Sequence, residues 1–571
     1  MHSIELHGDG TLGFVGKISE LSWIARACSY LDSPAMQSSN TKENRDDHYS
    51  ATQFNYYTDD DNLLSIDEDL VDALHWPGDV TVKILSEAFF HALHGIFDSF
   101  AREQFLTDLD VFSRIPHPLS WDQRRWLGVA NLTWAIASKW LNRSMLNDDP
   151  TVEGHLVYYA RARALGIDHR IMLNYPGLQG VRASGLLSVY LFINGSINKA
   201  WILVGLAMRA AICIGLHLKA ADGVLKPSQL EERVRLWYSL YSLEVTVSEV
   251  FGKPPSLSLG YTTVTLDALK SATDENASIL SDAVGSKKLW LDFLRSRRNV
   301  TQTMRGGQVP WQNLQFVGYT PPEQHRSFRV QLSRLSNRVM TELYMPNQKV
   351  TWAETQERIG TLDTELAEWE QSLPEDLSLQ SVVPTSTDPR AKIDLALYYY
   401  SIRMILFRPC LCHIRIQGES DTSKKFNSNS AWNCVYAAIS IVDIFPDDPT
   451  PHEAYQLLPW AMLLHYLGQV MAIFILELCL NMEHFGNSAN HLTPHVTKAM
   501  SYLWCLTSNS LSAYKAWRIY RRMLSVVSEQ VDGFDITNIP INACVPQAWT
   551  LIDETALQNV LQPIGNPGMH H

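Results

Sequence analysis

Leu178–His217 reads LQGVRASGLLSVYLFINGSINKAWILVGLAMRAAICIGLH; after a short polar gap, Glu231–Pro255 reads EERVRLWYSLYSLEVTVSEVFGKPP. Apolar residues recur every three or four positions, the period of helices packed on neighbours. Three consecutive helices are expected, over 180–195, 199–216 and 229–251. Asn194-Gly195 turns the chain between the first two. Ser228 and Glu231 have the spacing of a capping box at the start of the third, and Pro254-Pro255 cannot continue it.

The same period extends outward. Trp126–Leu141 is apolar nearly all round, as a buried helix should be. Helical patterns also cover 326–346, 352–372, 391–408, 431–445, 455–482, 495–508 and 510–529. No strand-period segment rivals them, so the expected fold is all-α, a large multi-helix array. The chain divides into an N-terminal segment with an acidic loop (1–75), a first helical half (76–255), an irregular connection (256–325), a second helical half (326–530) and a tail (531–571). A Ser/Thr/Pro linker at 378–390 interrupts the second half.

Composition narrows the function. A hydrophobic fraction of 46% with 19% charged residues describes a globular chain. The formal charge of −13 argues against a free-standing nucleic-acid binder, which would carry a basic face. The eight cysteines include no C-x-x-C pair, so the sequence holds no zinc-cluster spacing and no metal or cofactor is expected. Scattered thiols in so large a chain fit a reducing compartment. The N-terminus shows no basic and apolar leader pattern, so secretion is not expected. The apolar run 460–480 contains His465, Gln469 and Glu477 and reads as a buried helix, with no membrane span.

Motifs suggesting chemistry have plainer readings. Gly8, Gly10 and Gly13 match G-x-G-x-x-G, but only seven residues precede them and no βαβ pattern follows. Asp59-Asp60-Asp61 and Asp447-Asp448 do not place two carboxylates one helical turn apart, so they read as solvated loop charge. His91 and His94 share a helix face without further metal ligands. Lys287, Lys288, Arg295, Arg297 and Arg298 form a basic cluster. It reads as a solvated helix face, with nuclear import or phosphate contact as the functional alternative.

Seven groups of residues stand in the order of the middle homology region of fungal zinc-cluster regulators. They run from Ser19 and Trp23 through Trp76–Phe105 to the Leu178-Gln179 helix. Next come Trp201, Gly205, Arg209, Gly215 and His217, then Arg233, Arg235, Trp237, Gly252, Lys253 and Pro254. Trp369 with Leu373-Pro374, and Tyr398 to Arg408-Pro409, complete the main set. Trp460–Leu478 and Ala513–Leu524 resemble the closing helices. The chain thus resembles the fungal-specific transcription factor domain over most of its length. Three positions differ: Lys253 stands for an Arg, Glu244 for an Asp and Tyr238 for a Trp.

The resemblance implies a nuclear regulatory domain, such as one controlling a metabolic or secondary-metabolite gene cluster. It implies a protein partner (a DNA-binding regulator or the transcription machinery) and a small-molecule effector, without direct DNA binding by these residues. An upstream exon carrying the zinc cluster is the alternative. The Trp residues are expected in the core. Arg209, Arg233 and Arg235 are expected to hold neighbouring helices, and Gly205 and Gly215 to permit their close approach. An enzyme of secondary metabolism on the same scaffold, or an interaction scaffold that does not bind DNA, remain the other readings.

Overall fold

Helices dominate because long apolar stripes here can be buried only against one another. In the computed structural model the described residues are 3–6, 12–15, 18–31, 56–57, 66–93, 96–115, 118–144, 153–168, 177–221, 223–256, 259–266, 323–344, 350–379, 389–411, 419–447, 449–480, 484 and 489–543. Among them are sixteen α-helices. They are α1 (Glu20–Leu31), α2 (Asp79–Ala92), α3 (Arg102–Phe112), α4 (Trp121–Arg143), α5 (His155–Ala164), α6 (Leu178–Ile193), α7 (Ile197–Cys213) and α8 (Pro227–Phe251). The second half holds α9 (Glu323–Tyr344), α10 (Trp352–Gln371), α11 (Pro389–Leu411), α12 (Asp421–Ile444), α13 (Pro451–Leu457), α14 (Trp460–Cys479), α15 (Thr493–Thr507) and α16 (Leu511–Gln530).

One hydrophobic cluster runs through both halves, from Trp23 through Trp134, Trp237 and Tyr398 to Leu524. The axis of this core is α14, nearly every residue of which is buried. Helices α1, α11, α12, α15 and α16 all pack on it. An α-helix apolar on every side needs such a jacket. Its length and composition would also suit a membrane span, but here neighbouring helices cover it.

Several details depart from the sequence expectation. Strands β1 (Ser3–Leu6) and β2 (Leu12–Val15) pair antiparallel, so the all-α array carries one small hairpin. Gly13 lies in β2 and pairs with Glu5, so it does not open a helix; Gly8 and Gly10 lie outside the described residues. Helix α8 starts at Pro227, not after Ser228: Lys226 is its N-cap, and the Lys226 N–H donates to Gln229 Oε1 at 3.1 Å. Proline at the first helical position has its φ preset and no N–H to satisfy. Helix α12 begins ten residues before the expected 431, capped by Ser420. Its first turns expose Asp421, Thr422 and Lys424, so no apolar stripe announces them. The expected helix over 455–482 is two, broken at Leu458-Pro459.

Helix α10 opens with a complete capping box. Thr351 N–H donates to Glu354 Oε2 at 2.7 Å, and Glu354 N–H to Thr351 Oγ1 at 3.3 Å. Thr351→Ala should lower stability by about 1 kcal/mol in urea unfolding, the usual cost of losing such a cap.

Candidate functional site

The helices α6, α7 and α8 bring their landmark residues together in pairs. Gln179 Oε1 accepts from Arg182 Nη1 at 2.7 Å, and Arg182 also donates to Glu232 across the α6–α8 interface. Arg233 Nη2 reaches the end of α7, donating to Ile214 O at 2.7 Å. Trp237 is buried beside the His217 ring, 5.7 Å between centroids. Trp201 donates from Nε1 to Ser248 Oγ at 3.1 Å, while Lys253 Nζ lies 5.0 Å above its ring. The lysine at this position therefore serves as a cation on an aromatic face. Burial lowers its ammonium below the usual lysine range.

Four of these residues depart from their expected roles. Trp201 is only partly buried, because its outer face carries Lys253 in place of another helix. Gly215 is a left-handed turn, φ +69°, with no neighbour near its Cα; it ends α7 and does not permit close packing. Arg235 pairs with Glu231 one turn earlier on α8 and, among the described residues, bridges no second helix. Arg209 is exposed; its charge acts on buried Glu244, whose carboxyl burial raises and the Ser256 hydrogen bonds and Arg209 lower. Gly205 does sit close to a neighbour: a Cβ there would lie 3.0 Å from Ser256 Oγ.

Two further landmarks, Gly252 and Arg408, meet one short segment, residues 18–23 at the start of α1. Gly252 ends α8 with φ +73°, and a Cβ on it would lie 2.6 Å from Ser19 Cβ and 2.7 Å from Ser19 N. Buried Arg408 donates from Nη1 to Ile18 O at 3.0 Å, and its guanidinium lies 4.9 Å from the Trp23 ring centroid. Pro409 follows within the last turn of α11. Trp369 supports α11 from outside, stacked on Tyr399 at 5.7 Å. Residues separated by up to 390 positions in sequence thus hold the same few backbone atoms.

Behind that segment lies a buried charge cluster. Glu20 Oε2 is 2.5 Å from His465 Nδ1, and His465 Nε2 is 3.5 Å from Glu249 Oε1. Tyr56 and Tyr57 donate to Glu20, the latter at 2.9 Å. Ser336 Oγ donates to Glu249 Oε2 at 2.5 Å, and Ser401 Oγ lies 3.1 Å from Glu249 Oε1 and 2.7 Å from Gln469 Oε1. Gly468 makes room for the Tyr56 hydroxyl, and its carbonyl accepts from Tyr520 at 2.9 Å. Burial by itself would lower the His465 pKa; the carboxylates of Glu20 and Glu249 reverse that and hold it at about 9. Near neutral pH His465 is therefore an imidazolium ion-paired with a carboxylate on each side, and hydroxyls donate to the other carboxylate oxygens. Burial, followed by the Glu20 charge, pushes the Tyr56 and Tyr57 phenols well above their ordinary range, so both stay protonated donors.

This arrangement locks helices together and offers no nucleophile to solvent. Among the described residues no group of three His, Cys, Asp or Glu has the geometry to hold a metal ion. Buried His91 faces Arg390 Nη1 at 2.9 Å from its Nε2. Asp447 pairs with Lys498 at the surface. His94, Asp59 to Asp61, Asp448 and the basic cluster Lys287, Lys288, Arg295, Arg297 and Arg298 lie outside the described residues. Glu20, Glu249 and His465 were not singled out as a site in the sequence. Their signal was there in part: His465 and Gln469 are polar residues one turn apart on an otherwise apolar helix.

The fold and site define a helical body whose buried polar chemistry serves architecture. The fungal specific transcription factor domain matches residues 146–371. The transcription regulator galc of Aspergillus niger is 23% identical over 94% of this chain and 70% of its own length. The sorbicillinoid biosynthetic cluster transcription factor 2 of Penicillium rubens is 24% identical over 70% of this chain and 56% of its own length. An ABC-transporter-regulating transcription factor of Aspergillus oryzae is 24% identical over 57% of this chain and 32% of its own length. No solved structure matches. Residues 146–371 thus match the fungal specific transcription factor domain, and the chain as a whole is similar to fungal transcription regulators.

Proposed function

We propose that this chain is a nuclear transcription regulator whose helical body receives signals and passes them to a DNA-binding protein partner or the transcription machinery. The observation that carries the reading is its alignment along 94% of its length with a transcription regulator. The residues that would contact DNA in a zinc cluster have no C-x-x-C counterpart in these 571 residues. DNA contact is assigned to a partner, or to a zinc cluster encoded upstream of these residues. The genes governed are those of a metabolic or secondary-metabolite cluster, a reading supported by the relative named for a biosynthetic cluster. No catalytic role is assigned, since the buried Glu20–His465–Glu249 cluster is spent on packing.

Chromatin immunoprecipitation of the tagged chain, expressed from its own locus, tests the proposal together with transcript profiling of a deletion strain. A coherent set of promoters should be occupied, and their transcripts should change on deletion. Absence of occupied promoters, with any partner intact, overturns it.

A further inference from the structure

One face of the buried cluster opens toward solvent. Tyr57 and His465 form part of the wall of an open cleft that encloses about 50 Å³. The walls are mostly apolar, with Phe192, Ile197, Leu464 and Leu506 among them, and no acidic side chain among the described residues lines the cleft.

Arg143, the last residue of α4, supplies the charge. Its guanidinium lies 5.6 Å from the Trp460 ring centroid, on that ring's face. Its Nε is shielded from solvent without a hydrogen-bond partner, and no ion pair holds the side chain among the described residues. Two further facts make the surroundings positive. Lys139 is a buried cation engaged by Asn194, which lines the cleft. The His155 imidazole is held well below its ordinary range, by burial first and then by Lys139 and Arg143. The first residues of α7, α14 and α16 also face the cleft through Ile197, Trp460 and Ser512. Their amide ends favour negative charge. Helices α4, α6 and α15 end here too, but their carbonyls are engaged. Arg143 O and Leu506 O accept from Asn509, and Phe192 O accepts from Gly195 N–H.

A single guanidinium without an ion-pair partner among the described residues, at the edge of an apolar slot, matches one kind of ligand. A dianionic phosphate would require more donors than these walls offer, and a neutral hydrocarbon would leave Arg143 desolvated and unpaired. We infer that the cleft between α4, α7, α14 and α16 is a binding site for a small organic monocarboxylate, with the carboxylate on Arg143 and the apolar body along Trp460. The inference deepens the regulatory reading by naming the chemical class of the effector, and it rests on that reading only for its consequence in the cell.

Isothermal titration of the purified full chain with benzoate, benzamide and inorganic phosphate tests it. Benzoate should bind saturably, and the neutral isostere benzamide about tenfold or more weaker, the loss expected for a charge-assisted pair. Arg143→Gln should weaken benzoate by a similar factor, and Arg143→Lys by less, with thermal unfolding of each variant recorded as a check on folding. The inference is overturned by absence of saturable benzoate binding to the parent chain up to about 10 mM, by equal affinity for benzoate and benzamide, or by preference for phosphate. Because the measurement uses purified protein, it stands or falls independently of promoter occupancy.

Discussion

His465→Ala is expected to cost about 3 to 5 kcal/mol of unfolding free energy, the usual cost of removing one partner from a buried ion pair. Glu20 and Glu249 are completely buried side chains. Without the imidazolium they face each other's charge with only hydroxyls as donors. Chemical denaturation at pH 7 checks the figure. The pH dependence gives a second, independent readout. The folded-state pKa of about 9 lies above the ordinary histidine value. The protonated ring therefore stabilises the fold fully below about pH 6.5, and the contribution fades as pH rises toward 9, by about 3 kcal/mol in all. The parent chain should lose that stability across the alkaline window, and His465→Ala should lack that component of the slope.

Gly252→Ala is the second large effect. The residue has φ +73°, a region that costs a side-chain-bearing residue about 1 kcal/mol or more. The new Cβ would also meet Ser19 N at 2.7 Å, and backbone cannot rotate away. Together these should destabilise by about 2 to 4 kcal/mol and push residues 18–20 off the end of α8. Limited proteolysis should then cut within α1, whereas the parent resists.

Much of the architecture could be read from periodicity, because each helix of the 178–255 trio carries its own apolar stripe and ends at Gly or Pro. Helix α14 was recognisable as buried from its composition. The expected start of α12 failed where the first turns are solvent-facing, and the hairpin failed because four-residue strands give too few alternations. The landmark residues were visible, but their purpose was not. Gly252 and Arg408 read as the end of one helix and the closing dipeptide of another. Only the fold shows that both act on residues 18–20, hundreds of positions away. The Glu20–His465–Glu249 cluster was hidden for the same reason, since its three members lie on three helices far apart in sequence. Arg143 gave no signal either: a basic residue at a helix end is ordinary until the fold sets it over Trp460 at the edge of a cleft.

The central structural claim is that the family landmarks hold the first helix onto the body. Hydrogen–deuterium exchange of residues 20–31 measures this directly, in the parent chain, in Gly252→Ala and in the distant Thr351→Ala control. Protection of this segment should be high in the parent, sharply lower in Gly252→Ala and unchanged in Thr351→Ala. Fast exchange in the parent, or equal protection in the parent and Gly252→Ala, would contradict it.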